Sequence, residues 1–347
     1  MVLVLQIVAV LVGLGFLIFI HELGHFTAAR LCKVRVLTFS FGFGPDLVKY
    51  IYKGTKYCIK LIPFGGFVAM AGEDPEKATG AGDEYLSLPW FKKVFIAFAG
   101  PLSNYILAFI MFSAIFSAWG IWQYTPYTQI GTVLENGQAF KGGILPNDTI
   151  KSIDGIAVTK WGDITDNLKD KANKEASFVV ERDAKLITLN FEVGQNVVTG
   201  AGVIGISPKA IVVKASFLQC LRYGLKMVVN QTVSTLSYLG DKIIKLEKPD
   251  ISGPVGIMQV IAKSASNGWE EYLSLIAFIS VALGLFNLFP IPFVDGGMIV
   301  LFLIEGIRKK RVGLKAIGVY NTIGIVLIGG IFIFATYSDL LRIFTKS

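Results

Sequence analysis

The chain has 347 residues, 53 % of them apolar and 17 % charged, with a mean hydropathy of +0.60, which excludes a soluble globular domain of ordinary composition. Its formal net charge of +8 informs through its distribution, as a guide to membrane orientation, and no basic, aromatic-rich nucleic-acid motif is present. Cys32, Cys58 and Cys220 are an odd number without metal-type spacing, which argues against a disulfide framework.

The first element, residues 1–30, opens with Met1 to Ile20, which carry no charge, no basic leading segment and no small-x-small cleavage site. It reads as a retained membrane span rather than a secretory signal. Its end carries the only two histidines of the chain, in His21-Glu22-Leu23-Gly24-His25. On a helix this spacing places both imidazoles on one face, where they can bind one Zn²⁺, with Glu22 close enough to take a proton from metal-bound water. The alternative is a histidine pair packed against polar groups in a bundle, but ionisable groups at membrane depth are costly and point to function.

Residues 31–93 contain most of the basic residues that separate the first two spans, ten in all from Arg30 to Lys93, and are expected on the cytoplasmic side. The glycine-rich Phe39-Ser40-Phe41-Gly42-Phe43-Gly44-Pro45 and the alternating stretch from Thr55 to Ile62 read as short strands. The acidic stretch from Glu73 to Glu84 reads as a solvated loop. A second span follows over 94–121, with its apolar part from Val94 to Trp119.

Residues 122–210 change pattern to short alternating runs between turn signals such as Pro146-Asn147-Asp148 and Asp154-Gly155, and read as a small β-rich domain. The run from Gly142 to Asp170 is similar to the strand-turn-strand-helix of a PDZ domain, whose groove takes a peptide strand; a steric filter that binds nothing is the alternative. Residues 211–271 read as an amphipathic segment leading from this domain to the membrane, with Phe217 to Leu246 lying at its outer surface.

The third span, over 272–305, is longer than one crossing needs and is interrupted by Pro290-Ile291-Pro292, so it should be broken there. Asp295 follows the break and is the only charged residue between Glu271 and Glu305. It is the candidate third ligand, because a catalytic zinc takes three protein ligands and no further histidine exists. A capping aspartate in a transporter-like broken helix is the other reading. Residues 306–316 form a basic cytoplasmic loop, and 317–347 hold the fourth span and a tail with Arg342 and Lys346. The charge pattern places both termini and the β-rich domain outside, and the histidines roughly 8–13 Å inside the cytoplasmic face at 1.5 Å per helical residue.

At these residues the chain resembles the site-2 protease family of intramembrane zinc metalloproteases, specifically the bacterial regulator-of-sigma-E protease branch. The resemblance rests on HELGH at 21–25 and NLFPIPFVDGG at 287–297, with further similar stretches at 39–45, 60–70, 98–108 and 252–257. Val294 stands where the family usually has leucine. The family's fold would be a polytopic α-helical membrane protein with four transmembrane helices, a membrane re-entrant β-loop and an extracytoplasmic PDZ domain, single here where some members have two.

The resemblance implies zinc on His21, His25 and Asp295, Glu22 as catalytic base, and Asn287 on the substrate backbone; a helix-helix hydrogen bond by Asn287 is the alternative. It also implies substrate contacts from the β-loop, at Phe41, Gly42, Phe43 and Gly44, through strand addition at an open edge, unless this is an ordinary hairpin on the headgroups. The expected substrates are single-span membrane proteins such as anti-sigma factors or signal-peptide remnants, first trimmed by an upstream site-1-type protease, in the inner membrane of a bacterium. The competing class is a membrane-embedded PDZ adaptor or transporter-like protein without protease activity.

Overall fold

The computed structural model describes residues 2–125, 127–196, 200–245 and 253–345, so Leu246, Ser252 and Lys346 lie outside the described residues. Two compact units result, one of residues 1–118 with 216–347 and one of 119–215.

The first unit holds four helices long and apolar enough to cross a membrane, at the four places where hydropathy runs predict them. A helix satisfies every backbone hydrogen bond within its own segment, the requirement that hydrocarbon imposes. Helix α1 (Val2–Leu31) ends in a Schellman-type cap, with Lys33 at φ +64° and Val34 N–H donating to Ala29 O at 2.9 Å. This turn delivers Val34 and Val36 into a core with Ala28, Ala29, Ile96 and Phe302.

Strands β1 (Val36–Tyr52) and β2 (Thr55–Met70) form an antiparallel hairpin closed by Lys53 and Gly54, both at positive φ as a two-residue type I′ turn requires. Both strands double back on themselves. Residues 36–41 pair with 66–70 on one side, 38–41 pair with 56–59 on the other, and 46–52 pair with 55–60. The reversals occur at Gly42 (φ +90°), Gly44 (φ +89°) and Gly65 (φ +97°), conformations that a side chain would strain. The acidic stretch after the hairpin is largely exposed, as expected, but its last residue is not: Glu84 is buried, and its carboxylate accepts Thr79 N–H (2.9 Å), Gly80 N–H (2.8 Å) and the Thr79 hydroxyl (2.7 Å).

Helix α2 (Trp90–Trp119) starts four residues before its apolar run. Lys93, expected among the free basic residues, is buried instead, with Nζ 2.7 Å from Glu305 Oε1 and 4.7 Å from the Phe302 ring centroid.

The second unit contains short strands β3 (Ile121–Tyr124) and β4 (Ile130–Val133), a one-turn helix α3 (Gln138–Lys141), and strands β5 (Thr149–Ile153) and β6 (Ile156–Ala157). Helix α4 (Trp161–Leu168) and strands β7 (Glu175–Arg182) and β8 (Lys185–Glu192) follow. The sheet order β6-β5-β7-β8 is antiparallel, and Ala176, Phe178 and Val180 of β7 are buried at the strand period of two. Asp154-Gly155 is the turn its sequence announces, with φ +50° and +80°. Asp148 is buried and receives Arg182 Nε at 2.8 Å and Nη2 at 2.7 Å.

Between the β-rich unit and the third span the described residues form two helices. Helix α5 (Phe217–Ile244) starts with a Ser216–Gln219 capping box and runs beside α2, where Val228 joins Phe112 and Ala108 in one core. Helix α6 (Pro254–Asn267) takes its N-terminal N–H groups to Asp339, at 3.1 Å from Gly253 and 2.7 Å from Gly256. The third span is broken where the prolines stand, into α7 (Trp269–Asn287) and α8 (Asp295–Arg308), and α9 (Leu314–Thr345) completes the unit.

Lys93→Met alone leaves the Glu305 carboxylate buried without its cation and should cost about 3–5 kcal/mol. The double variant Lys93→Met/Glu305→Leu should recover most of that loss, as read from thermal unfolding in detergent. In the β-rich unit, burial raises the Asp148 carboxyl, but the Arg182 hydrogen bonds outweigh it and hold the group below its ordinary value. The stabilisation is therefore present above the unfolded carboxyl value of about 4 and is lost as pH falls through the lower folded value. Thermal unfolding between pH 2 and 6 should show this acid loss in the wild type and a weaker one in Asp148→Asn.

Candidate metal centre

Helical spacing places His21 and His25 one turn apart, with their Nε2 atoms 3.2 Å from each other. Asp295, the first residue of α8, brings Oδ2 to 3.1 Å from His21 Nε2 and Oδ1 to 3.3 Å from His25 Nε2. Tight backbone packing makes this meeting possible. A Cβ on Gly297 would lie 2.0 Å from Ile291 O, so only glycine lets the start of α8 nest against the break. A Cβ on Gly100 would lie 2.3 Å from His25 Nε2, so the α2 backbone itself walls the imidazole pair.

The donor set fits a tetrahedral cation. Ligand atoms about 2.0–2.1 Å from zinc stand roughly 3.3–3.4 Å from one another, close to the separations of these three groups. The outer ring nitrogens agree with that use. His25 Nδ1 is 2.9 Å from Ile96 O and must donate to it, which leaves the Nε2 lone pair facing the centre. His21 Nδ1 is 3.1 Å from the Asn104 side-chain amide, whose two ends have the same shape; with Nε2 on a cation, Nδ1 carries the proton and the amide presents its oxygen. Among the described residues, His21, His25 and Asp295 are the one cluster of three or more metal-ligating side chains.

These residues open onto a cavity of ≈ 470 Å³ that also exposes Glu22, Phe67, Val68, Met70, Glu73, Asn287 and Asn321. Glu22 Oε2 accepts Val68 N–H at 3.0 Å. Asn287, the last residue of α7, faces the same space. Phe41, Gly42, Phe43 and Gly44 do not line it. Phe41 lies in the inner arm of the hairpin, paired with Gly66 on one side and Ile59 on the other, and the Phe43 ring stacks on Phe67 at 6.2 Å. A strand paired on both sides has no edge to offer, so the arm that reaches the cavity is Gly66–Met70. Glu73 and Asn321 were absent from the sequence expectation. An amide inside the apolar fourth span was the available signal for Asn321, whose buried Oδ1 has no protein partner.

Residues 9–331 match Peptidase family M50. A Campylobacter jejuni protein named "Putative zinc metalloprotease" is 33 % identical over 98 % of this chain and 94 % of its own length. A Clostridium acetobutylicum protein of the same name is 34 % identical over 96 % of this chain and 97 % of its own length. Among solved structures, the PDZ domain of the SdrC-like protein from Listeria monocytogenes is 17 % identical with a TM-score of 0.23, covering 25 % of this chain and 90 % of that one.

Asn104→Leu should weaken metal retention roughly 10- to 100-fold, the usual cost of losing a group that orients a ligand. Asn104→Asp keeps an acceptor for His21 Nδ1–H and should hold zinc about as well as the wild type. Zinc remaining after dialysis against graded chelator measures both, and wild-type retention by the leucine variant would reduce Asn104 to a packing residue.

Proposed function

We propose, on the premise that the chain belongs to Peptidase family M50 and is a site-2-type zinc metalloprotease, that it cuts single-span membrane proteins within or near their transmembrane segment. The observation that carries this reading is the convergence of His21 and His25, on a helix of membrane-spanning length, with Asp295 at the start of the shorter α8. Zinc held there supplies Lewis acidity and a water acidic enough to be deprotonated near neutral pH. Glu22, on the same helix turn as both histidines and open to the cavity, takes the water proton and later gives it to the leaving amine. The hydrogen bond from His25 Nδ1 to Ile96 O keeps that imidazole in the ligating orientation. Asn287, at the cavity wall, holds substrate backbone.

A helical substrate hides its carbonyls in its own hydrogen bonds and must be extended before attack. The Gly66–Met70 arm, which among the described residues pairs with no strand on its cavity side, is the edge on which it would be held by strand addition. The hairpin re-enters the membrane: Leu47, Val48, Tyr50 and Ile51 are each more than 60 % exposed, an apolar surface suited to lipid. The β-rich unit acts as an extracytoplasmic PDZ domain that screens substrates. Both chain termini lie outside, and the metal lies near the cytoplasmic side of a bacterial inner membrane. The substrates are anti-sigma-factor-like proteins or signal-peptide remnants, already trimmed by a site-1-type protease.

Glu22→Gln expressed beside wild type, with a tagged anti-sigma-factor-like reporter, is the test. The variant should keep about one zinc per chain and lose cleavage by about 10²–10⁴-fold, whereas His21→Ala should lose the zinc as well. Equal processing by wild type and Glu22→Gln would remove Glu22 as the base.

A further inference from the structure

The cavity-side edge of the hairpin is already occupied, by carboxylates. Along a strand, successive N–H groups point alternately toward the paired neighbour and away from it. In the Gly66–Met70 arm, Val68 N–H donates to Glu22 Oε2 at 3.0 Å and Met70 N–H donates to Glu73 Oε2 at 3.0 Å. Ala71 N–H, the next in the chain, turns the other way to Arg35 O at 2.8 Å. The two outward donors are two residues apart, the spacing at which an added strand takes its bonds. Among the described residues no strand pairs with this arm on that side. At Val68 and Met70 the sites for a third strand's carbonyl are therefore held by carboxylate oxygens, and both carboxylates line the cavity of the three clustered ligands.

The two caps are mounted differently. Glu22 belongs to the rigid α1, next to His21, whereas Glu73 sits in the turn that follows the strand, its own N–H on Met70 O at 3.3 Å, and is exposed. It can rotate into water without disturbing the hairpin. A charged acceptor holds a lone N–H firmly and keeps an open edge from pairing with wrong partners. It offers one bond, where a strand offers several.

We infer that Glu73 is a placeholder for a substrate backbone carbonyl: it caps Met70 N–H while the edge is empty and swings away when an extended substrate segment pairs with Gly66–Met70. The same segment takes Val68 N–H from Glu22, which returns that carboxylate to proton transfer only once substrate is in place. The inference rests on the protease reading above and adds a self-capping edge to it.

The test uses zinc-loaded full-length protein in detergent micelles and a fluorescence-quenched single-span peptide with a glycine-rich break in its apolar segment. In Glu73→Ala, the Met70 amide should exchange with solvent at least about 10-fold faster than in wild type while Ala69 and Ala71 stay protected, and added peptide should restore protection at Met70. The apparent KM should fall about 5-fold, with the gain on KM rather than kcat, because a competitor for the edge is gone. Glu73→Gln, which keeps a carbonyl acceptor, should fall between the two. A Met70 amide as protected in Glu73→Ala as in wild type, or an unchanged or raised KM, overturns the inference. So does joint loss of protection at Ala69 and Ala71, which would mean that Glu73 merely holds the hairpin together. Failure of the protease reading looks different: wild type and Glu22→Gln would then treat the peptide alike, while amide exchange would still report the cap.

Discussion

Polar groups at membrane depth must find partners inside the protein, and the arrangement of this chain follows from that demand. The imidazoles of His21 and His25 and the carboxylates of Glu22 and Asp295 stand close together among its apolar helices, in a medium where an unpaired charge is costly and an unpaired N–H nearly so. His21, His25 and Asp295 stand 3.1–3.3 Å from one another, and a divalent cation held between them would meet most of the demand at once. The remaining groups are met by second contacts: His25 Nδ1 on Ile96 O, His21 Nδ1 on Asn104, and Glu22 on Val68 N–H. Two of these contacts come from α2 and one from the hairpin, so the surroundings of the ligands tie α1 to both.

Holding α8 in place is a separate mechanical problem, since a broken span has lost the continuity that would position Asp295. The buried Lys93–Glu305 pair supplies the anchor, joining α2 to the far part of α8 about three turns from Asp295 by helical rise. Glycines supply the fit at the near end, where Gly296 and Gly297 allow the first turn of α8 to lie on the carbonyls of Leu288 and Ile291. Such a pair is worth little as net stability but much as a fixed distance, because misplacing it strands a charge in an apolar core. Asp295 is thereby set by packing and ion pairing independent of the metal.

What the sequence made legible was the part with short, local rules. The HELGH spacing needed only helical geometry, and the lone aspartate after Pro290-Ile291-Pro292 needed only the rarity of charge in a span. The four apolar runs and the break in the third are present at the expected places. What stayed hidden depends on long-range pairing. FSFGFGP drew attention because glycine and phenylalanine alternate in it, yet that arm is the inner one, and the edge belongs to the arm ending at Met70, a fact of register that no local pattern encodes. Lys93 looked like an orientation charge because its partner lies 212 residues away. The hydrogen bond from Met70 N–H to Glu73 was hidden because the turn that points this carboxylate back onto the strand exists only once the hairpin has formed.

Rigid ligands and a movable edge answer opposite requirements of one reaction. Metal ligands must not shift, since small displacements of the reacting groups are expensive in rate, and here they are backed by helices, a buried ion pair and glycine contacts. The edge that receives substrate must be open when substrate arrives and shut otherwise, because an exposed strand pairs with whatever reaches it. A carboxylate on a short turn satisfies both conditions at low cost, since it reaches its N–H without a lid and leaves without a hinge. On the proposed reading, with Glu22 as the second cap, pairing of substrate on the edge and release of the base would be the same event. An enzyme built this way would leave helical segments that merely diffuse past uncut, since only a backbone already extended can compete for Val68 and Met70.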